Sequence, residues 1–218
     1  MTYSQYAVEA ESGERADTGF AGIAVVVDPG QPFFLTIVKE ALARLHALPT
    51  GQLILTAVAD TGPKDDRGFK VLIHRVSMSY DIAMQGNLVS IKPKGGRSYA
   101  SAAQQKMGVA SNAASIKGEG VSVIVGWCQN QVMYTPKVGT NKDKPHFVPP
   151  QVTLGHELIH ALHSLKGKLK SGHTILVDGK QTSEEECYTV GLGPYRDKKM
   201  TENKMRADLR LPERLSYP

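Results

Sequence analysis

Cysteine is scarce: Cys128 and Cys187 are the only two in 218 residues. That is too few for a scaffold built on disulfides, so reduced thiols in a cytosolic setting are expected. Long apolar runs are missing as well. The longest, such as Gly22–Val27, fall far short of the roughly 18–20 residues a membrane span needs, and no transmembrane helix is expected. The first twenty residues have no basic start followed by an apolar core, which excludes a conventional cleavable secretion signal. A basic-aromatic stripe, an RNA-binding signature and zinc-finger spacing are also absent. With 41% hydrophobic and 22% charged residues, the composition excludes collagen-like, coiled-coil and wholly disordered readings.

The formal net charge of +5 is unevenly spread. Residues 1–18 hold Glu9, Glu11, Glu14 and Asp17 against Arg15, a charge of −3, which leaves +8 for the rest. This reads as a flexible acidic leader over 1–18 followed by one domain over 19–218. A basic body can attract nucleic acid, anionic lipid or an acidic protein. Most of the charge is read as solvated surface, and no specific nucleic-acid partner is expected.

Strands are predicted at Gly22–Asp28, Phe69–Val76, Leu88–Pro93 and Val121–Trp127, with Gln131–Thr135 pairing to the last. Phe34, Ile37, Ala41, Leu45 and Leu48 recur at helical spacing and predict a helix over Phe33–Leu48. The Ala-, Ser- and Gly-rich stretch 95–120 reads as an insertion or a weak helix around Ala100–Met107. A further helix starts at Thr201-Glu202-Asn203 and is stopped after Leu211 by Pro212.

Five of the seven histidines, His146, His156, His160, His163 and His173, fall between residues 146 and 173. Three of them lie in QVTLGHELIHALHSLKG, a helix-like run that follows Pro149-Pro150 and ends at Gly167. A helical wheel puts Leu154, Leu158, Ala161, Leu162 and Leu165 on one stripe and the three histidines roughly opposite. Residues four apart lie one above the other, so His156 and His160 can converge on one tetrahedral cation. Glu157 projects aside and can reach a water on that cation as general base. At this chain's His and Glu frequencies a chance His-Glu-x-x-His is expected in about 1% of such sequences, so a mere polar helix face is the weaker reading. Gly155 lowers helix propensity but permits close packing.

A zinc hydrolase needs a third protein ligand and an open position. Ser183-Glu184-Glu185-Glu186 opens a short helix that ends near Gly191, and a carboxylate presented there completes a His, His, Glu set. Ser183 with Glu186 is equally a capping box, and spacing alone does not choose among Glu184, Glu185 and Glu186.

The run His156–Gly167 resembles the zinc helix of clostridial neurotoxin light chains, down to a third histidine seven residues after the first. Glu186-x-x-Thr189-x-Gly191 is similar to their Glu-x-x-Thr-Phe-Gly element, with Val190 in place of Phe. The tail TENKMRADLRLPERLSY and the chain length are closer still to bacterial type III effector metalloproteases of the NleD, HopH and XopG type. The resemblance spans roughly residues 145–217. It implies an α+β zincin with a twisted mixed sheet packed on the His-Glu-x-x-His helix, and one Zn²⁺ held by His156, His160 and Glu186. Glu185 and His163 become supporting residues beside the ligands. Arg214-x-x-Tyr217 has the form of the pair that holds the oxyanion, with Tyr188 and Tyr195 as alternatives. Val121–Trp127 is expected beside the cleft, with an edge open to an extended substrate.

The resemblance further implies a monomeric endopeptidase delivered by a type III secretion system into the host cytoplasm, where it cuts a signalling protein such as a kinase. The alternative from a different class is a metal-stabilised module that binds a host protein without cutting it. Glu157 separates the two, because a structural zinc site has no use for it.

Overall fold

The computed structural model describes residues 13–27, 29–62, 64, 68–75, 90–92, 117, 119–129, 132–133, 137–138, 141–142, 146–170 and 172–216. Ile23–Val26 (β2), Val71–Arg75 (β3) and Ser122–Trp127 (β5) are rich in β-branched residues and pair in parallel as the centre of a five-stranded sheet. Val71 sits opposite Ile23 on one side and Val123 on the other. Arg15–Asp17 (β1) and Ser90–Lys92 (β4) add antiparallel edges, giving the mixed order β1-β2-β3-β5-β4.

Two expectations change here. β5 is not an open edge over its first half: β3 pairs with one side of it, and β4 covers Ser122–Ile124 on the other, so that stretch offers no edge to a substrate. Arg15–Asp17, assigned to the leader, pairs with β2; residues 1–12 lie outside the described residues.

Alternation along the strands sorts the sheet into two faces. Ile23, Val25, Val71, Ile73, Val123 and Val125 enter the main core, whereas Ala24, Val26 and Leu72 form a smaller cluster. Over the main face lie helices Phe34–His46 (α1), Pro49–Asp60 (α2) and Pro150–Leu165 (α3). The apolar residues named from the wheel on α3 are all buried there. The opposite side of α3 is buried too, since every residue from Val152 to Leu165 is covered. Its histidines therefore face protein, not bulk water.

Pro150 opens α3 at a position where a missing N–H costs nothing. Its first turn is tied to the end of β5, because the Trp127 indole donates to Thr153 Oγ1 (3.0 Å) and Thr153 Oγ1 donates to the Pro150 carbonyl (3.0 Å). Val132–Met133 (β6) pairs with His146–Phe147 (β9) instead of with β5, and Lys137–Val138 (β7) pairs with Asn141–Lys142 (β8). The weak helix expected around Ala100–Met107 lies outside the described residues.

After α3 comes a hairpin, Thr174–Val177 (β10) and Lys180–Ser183 (β11), which runs directly into helix Glu184–Val190 (α4). A 3₁₀ turn at Gly193–Tyr195 and helix Glu202–Asp208 (α5) follow. α5 stops three residues before the point set by Pro212, where Arg210 takes a positive φ of 55°.

Candidate metal centre

α3 stacks His156 and His160 with ring centroids 4.8 Å apart and Nε2 atoms 3.1 Å apart. Each ring is held from behind by a carboxylate. His156 Nδ1 donates to Glu202 Oε2 (2.8 Å) and His160 Nδ1 to Glu185 Oε1 (2.9 Å). These bonds put the proton of a neutral ring on Nδ1 and turn both Nε2 lone pairs toward one gap. Two lone pairs at that separation repel unless a proton or a cation lies between them.

α4 supplies the third group. Ser183 caps it by accepting from Glu186 N (3.5 Å), and Gly191 closes it in the left-handed region at φ 87°. Successive residues turn by about 100°, so the three glutamates go to three places. Glu184 accepts from the Tyr195 hydroxyl and lies 3.5 Å from Lys170 Nζ. Glu185 accepts from His160 and His163, from Lys170 N (2.9 Å) and from Thr189 Oγ1 (3.4 Å). Glu186 alone reaches the gap, with Oε2 3.4 Å from His156 Nε2 and Oε1 3.4 Å from His160 Nε2. Its Oε2 is buried without a hydrogen-bond partner. Ligand atoms of His156, His160 and Glu186 all fall within 4.8 Å of one another.

Charge points the same way. Glu185, Glu186 and Glu202 each lie within 3.4 Å of a ring nitrogen of His156 or His160, and among the described residues Arg206 and Arg214 both pair with Glu202. The carboxylates of Glu185 and Glu186 beside the gap are the complement of a cation. With no metal bound, the imidazoles take up that role as acceptors of protons. Burial opposes a charged His156, but Glu186 and Glu202 outweigh it and lift its pKa to about 9. His160 is likewise raised well above its ordinary value against burial, chiefly by Glu186 and Glu185. Burial disfavours the Glu186 carboxylate, yet His160 and His156 hold it far below the usual range. Two imidazoles and one carboxylate form a donor set that suits Zn²⁺.

Glu202, read from the sequence only as part of a helix start, is the main residue that reading missed. It accepts from His156, from Arg206 Nε at 2.6 Å and from Arg214 Nη1 at 2.9 Å. The signal was available as an i, i+4 Glu202–Arg206 pair directly after the Thr201 cap. Asn203 pins the tail by exchanging two bonds with the Arg214 backbone (2.8 and 2.9 Å). Arg214 is only 1% exposed and donates to Glu202, the carboxylate that also accepts from His156. Tyr217 lies outside the described residues. His163 is buried and donates to Glu185 (2.6 Å). Tyr188 is stacked between His163 and Tyr195, and His173 is 3.9 Å from Glu184.

A mixed sheet packed on a buried helix that presents His-Glu-x-x-His is the α+β architecture of zincin-like proteases. Known structures agree in fold: the botulinum neurotoxin serotype C1 light chain protease (TM-score 0.52, 13% identity, 87% of this chain and 62% of that one) and the type D light chain (0.51, 16%, 87% and 57%). The Clostridium botulinum serotype F light chain is similar at a TM-score of 0.50 and 13% identity, over 86% of this chain and 60% of that one. The chain thus spans about three fifths of these light chains' length. No curated protein matches it. The chain belongs to the Peptidase_M91 family, described as effector protein, which it matches over residues 25–217.

Proposed function

We propose that the protein is a zinc-dependent endopeptidase, a secreted effector that cuts a host signalling protein. The observation that carries this reading is the gap between His156, His160 and Glu186, where the two oxygens of one carboxylate, Oε2 without a hydrogen-bond partner, each face an imidazole nitrogen whose ring partner is already committed. His156, His160 and Glu186 would hold one Zn²⁺. When bound, it supplies Lewis-acid polarisation of the scissile carbonyl and acidifies a water.

The chain's own residues do the rest. Glu157, buried on α3 beside His156, accepts the proton of the attacking water and returns it to the leaving amine. Glu202 and Glu185 fix the tautomer and orientation of the two imidazoles. Arg214 and Tyr217 are assigned to the developing oxyanion. Family membership favours delivery into a host cell, and among the described residues no helix is long and apolar enough to cross a membrane.

Metal analysis of purified protein, paired with a search for new N-termini in host lysate, tests the proposal. We expect one zinc per chain, and Glu157→Ala to keep the metal while losing about three orders of magnitude in cleavage. Zinc retained with no new N-termini from the wild type would instead favour the non-cutting interaction module.

A further inference from the structure

The position of Glu186 depends on a helix too short to hold itself. α4 has seven residues, and isolated helices of that length are not stable in water. Its outer radius is about 5–6 Å, so a 10° rotation about its axis moves a carboxylate by about 1 Å. Metal ligation tolerates only about 0.2 Å. Something must lock the rotation.

A closed ring of side chains surrounds the two glutamates that precede Glu186. Glu185 accepts from His163 at 2.6 Å. The His163 ring stacks on Tyr188 at 4.2 Å between centroids and 25° between planes. Tyr188 stacks on Tyr195 at 4.7 Å and 19°. The Tyr195 hydroxyl donates to Glu184, and Glu184 precedes Glu185 in the chain. Tyr195 can reach back because Gly191 turns the chain left-handed and because it packs against Cys187, Val190 and Leu192 with Ile175 and Val177 of the hairpin. The ring thus grips α4 on two of its faces, one toward α3 and one toward the 3₁₀ turn.

We infer that Glu184 and Tyr195, acting through Tyr188 and His163, are positioning residues that lock the rotation of α4 and so hold Glu186 at the metal. The inference rests on the metal reading above. It gives Tyr188 and Tyr195 a part distinct from oxyanion binding: one ring is stacked on both faces, and the hydroxyl of the other is taken by Glu184.

The test is zinc affinity of the full chain, by competition with a chromophoric chelator, for wild type, Tyr195→Phe, Glu184→Gln and the double variant. Tyr195→Phe keeps the stack and removes only the donor. Each single variant should weaken zinc about tenfold, the range typical of residues that orient ligands, and the double variant should add little, because both break the same bond. The visible spectrum of the cobalt(II)-substituted protein should change in both. A purely structural bond would lower the melting temperature of the metal-free protein and leave zinc affinity and the cobalt spectrum as in the wild type, which would overturn the clamp alone. A wild type that takes up no zinc would overturn the metal reading and the clamp with it.

Discussion

Glu202 is where the buried charge converges, since one carboxylate serves His156, Arg206 and Arg214. Removing it takes the shared counter-charge from two buried guanidiniums. Glu202→Ala should therefore destabilise the fold by about 3–5 kcal/mol, the usual result of breaking a buried ion pair from one side, and denaturant unfolding measures it. At this scale the sequence was uneven to read. His156, Glu157 and His160 are legible because a four-residue spacing has one meaning on a helix. The choice among Glu184, Glu185 and Glu186 is not, because it depends on the angle at which the hairpin delivers α4, and residue spacing carries no such angle.

Elements were legible where their signals are local. α4 has its Ser183 cap and Gly191 stop, α5 its Thr201 cap, and α3 its Pro150 start. α2 has none of these at its ends beyond Pro49: no side-chain cap, no acid in its first turn and no base in its last. Distant residues supply what is missing. Asp208 of α5 accepts from Thr50 N at 2.9 Å, and the Lys70 ammonium donates to the Val58 (3.3 Å) and Ala59 carbonyls, each sign of charge at the end the helix dipole favours. Asp208→Ala should cost about 1 kcal/mol, as loss of a helix cap does, without altering zinc uptake; thermal unfolding with and without zinc checks both. The hairpin β10–β11 did carry a local signal, Asp178-Gly179, at φ 49° and 78°, a pair that favours a two-residue turn. Gly155 shows a third kind of signal. A Cβ there would come within 2.4 Å of Met205 Sδ, so a bare backbone is what lets α5 approach α3 closely enough for Glu202 to reach His156.

For the molecule as a whole, the carboxylates set against His156 and His160 link stability to pH and metal. His156 has its pKa raised from 6.5 to about 9 on folding, so its stabilising contribution is complete below about pH 6.5 and lost as pH rises through 9. From that one group the loss is at most about 3 kcal/mol. Glu185, Glu186 and Glu202 are shifted down, each against burial, by the neighbouring histidines and, for Glu202, first by Arg214. Their contribution is present above about pH 4.5 and lost in acid. The metal-free protein should melt at progressively lower temperature from pH 6.5 to 9. Zinc should abolish that slope, because it replaces the protons; melting curves in chelator and in excess zinc decide. The tie of α2 to Asp208 has a further consequence for the order of folding. A helix closed by a partner 158 positions away cannot draw on that bond until the C-terminal segment has docked, so the tie belongs on the native side of the rate-limiting barrier. Asp208→Ala should leave the refolding rate nearly unchanged and place its effect in faster unfolding, as stopped-flow measurement of both limbs would register.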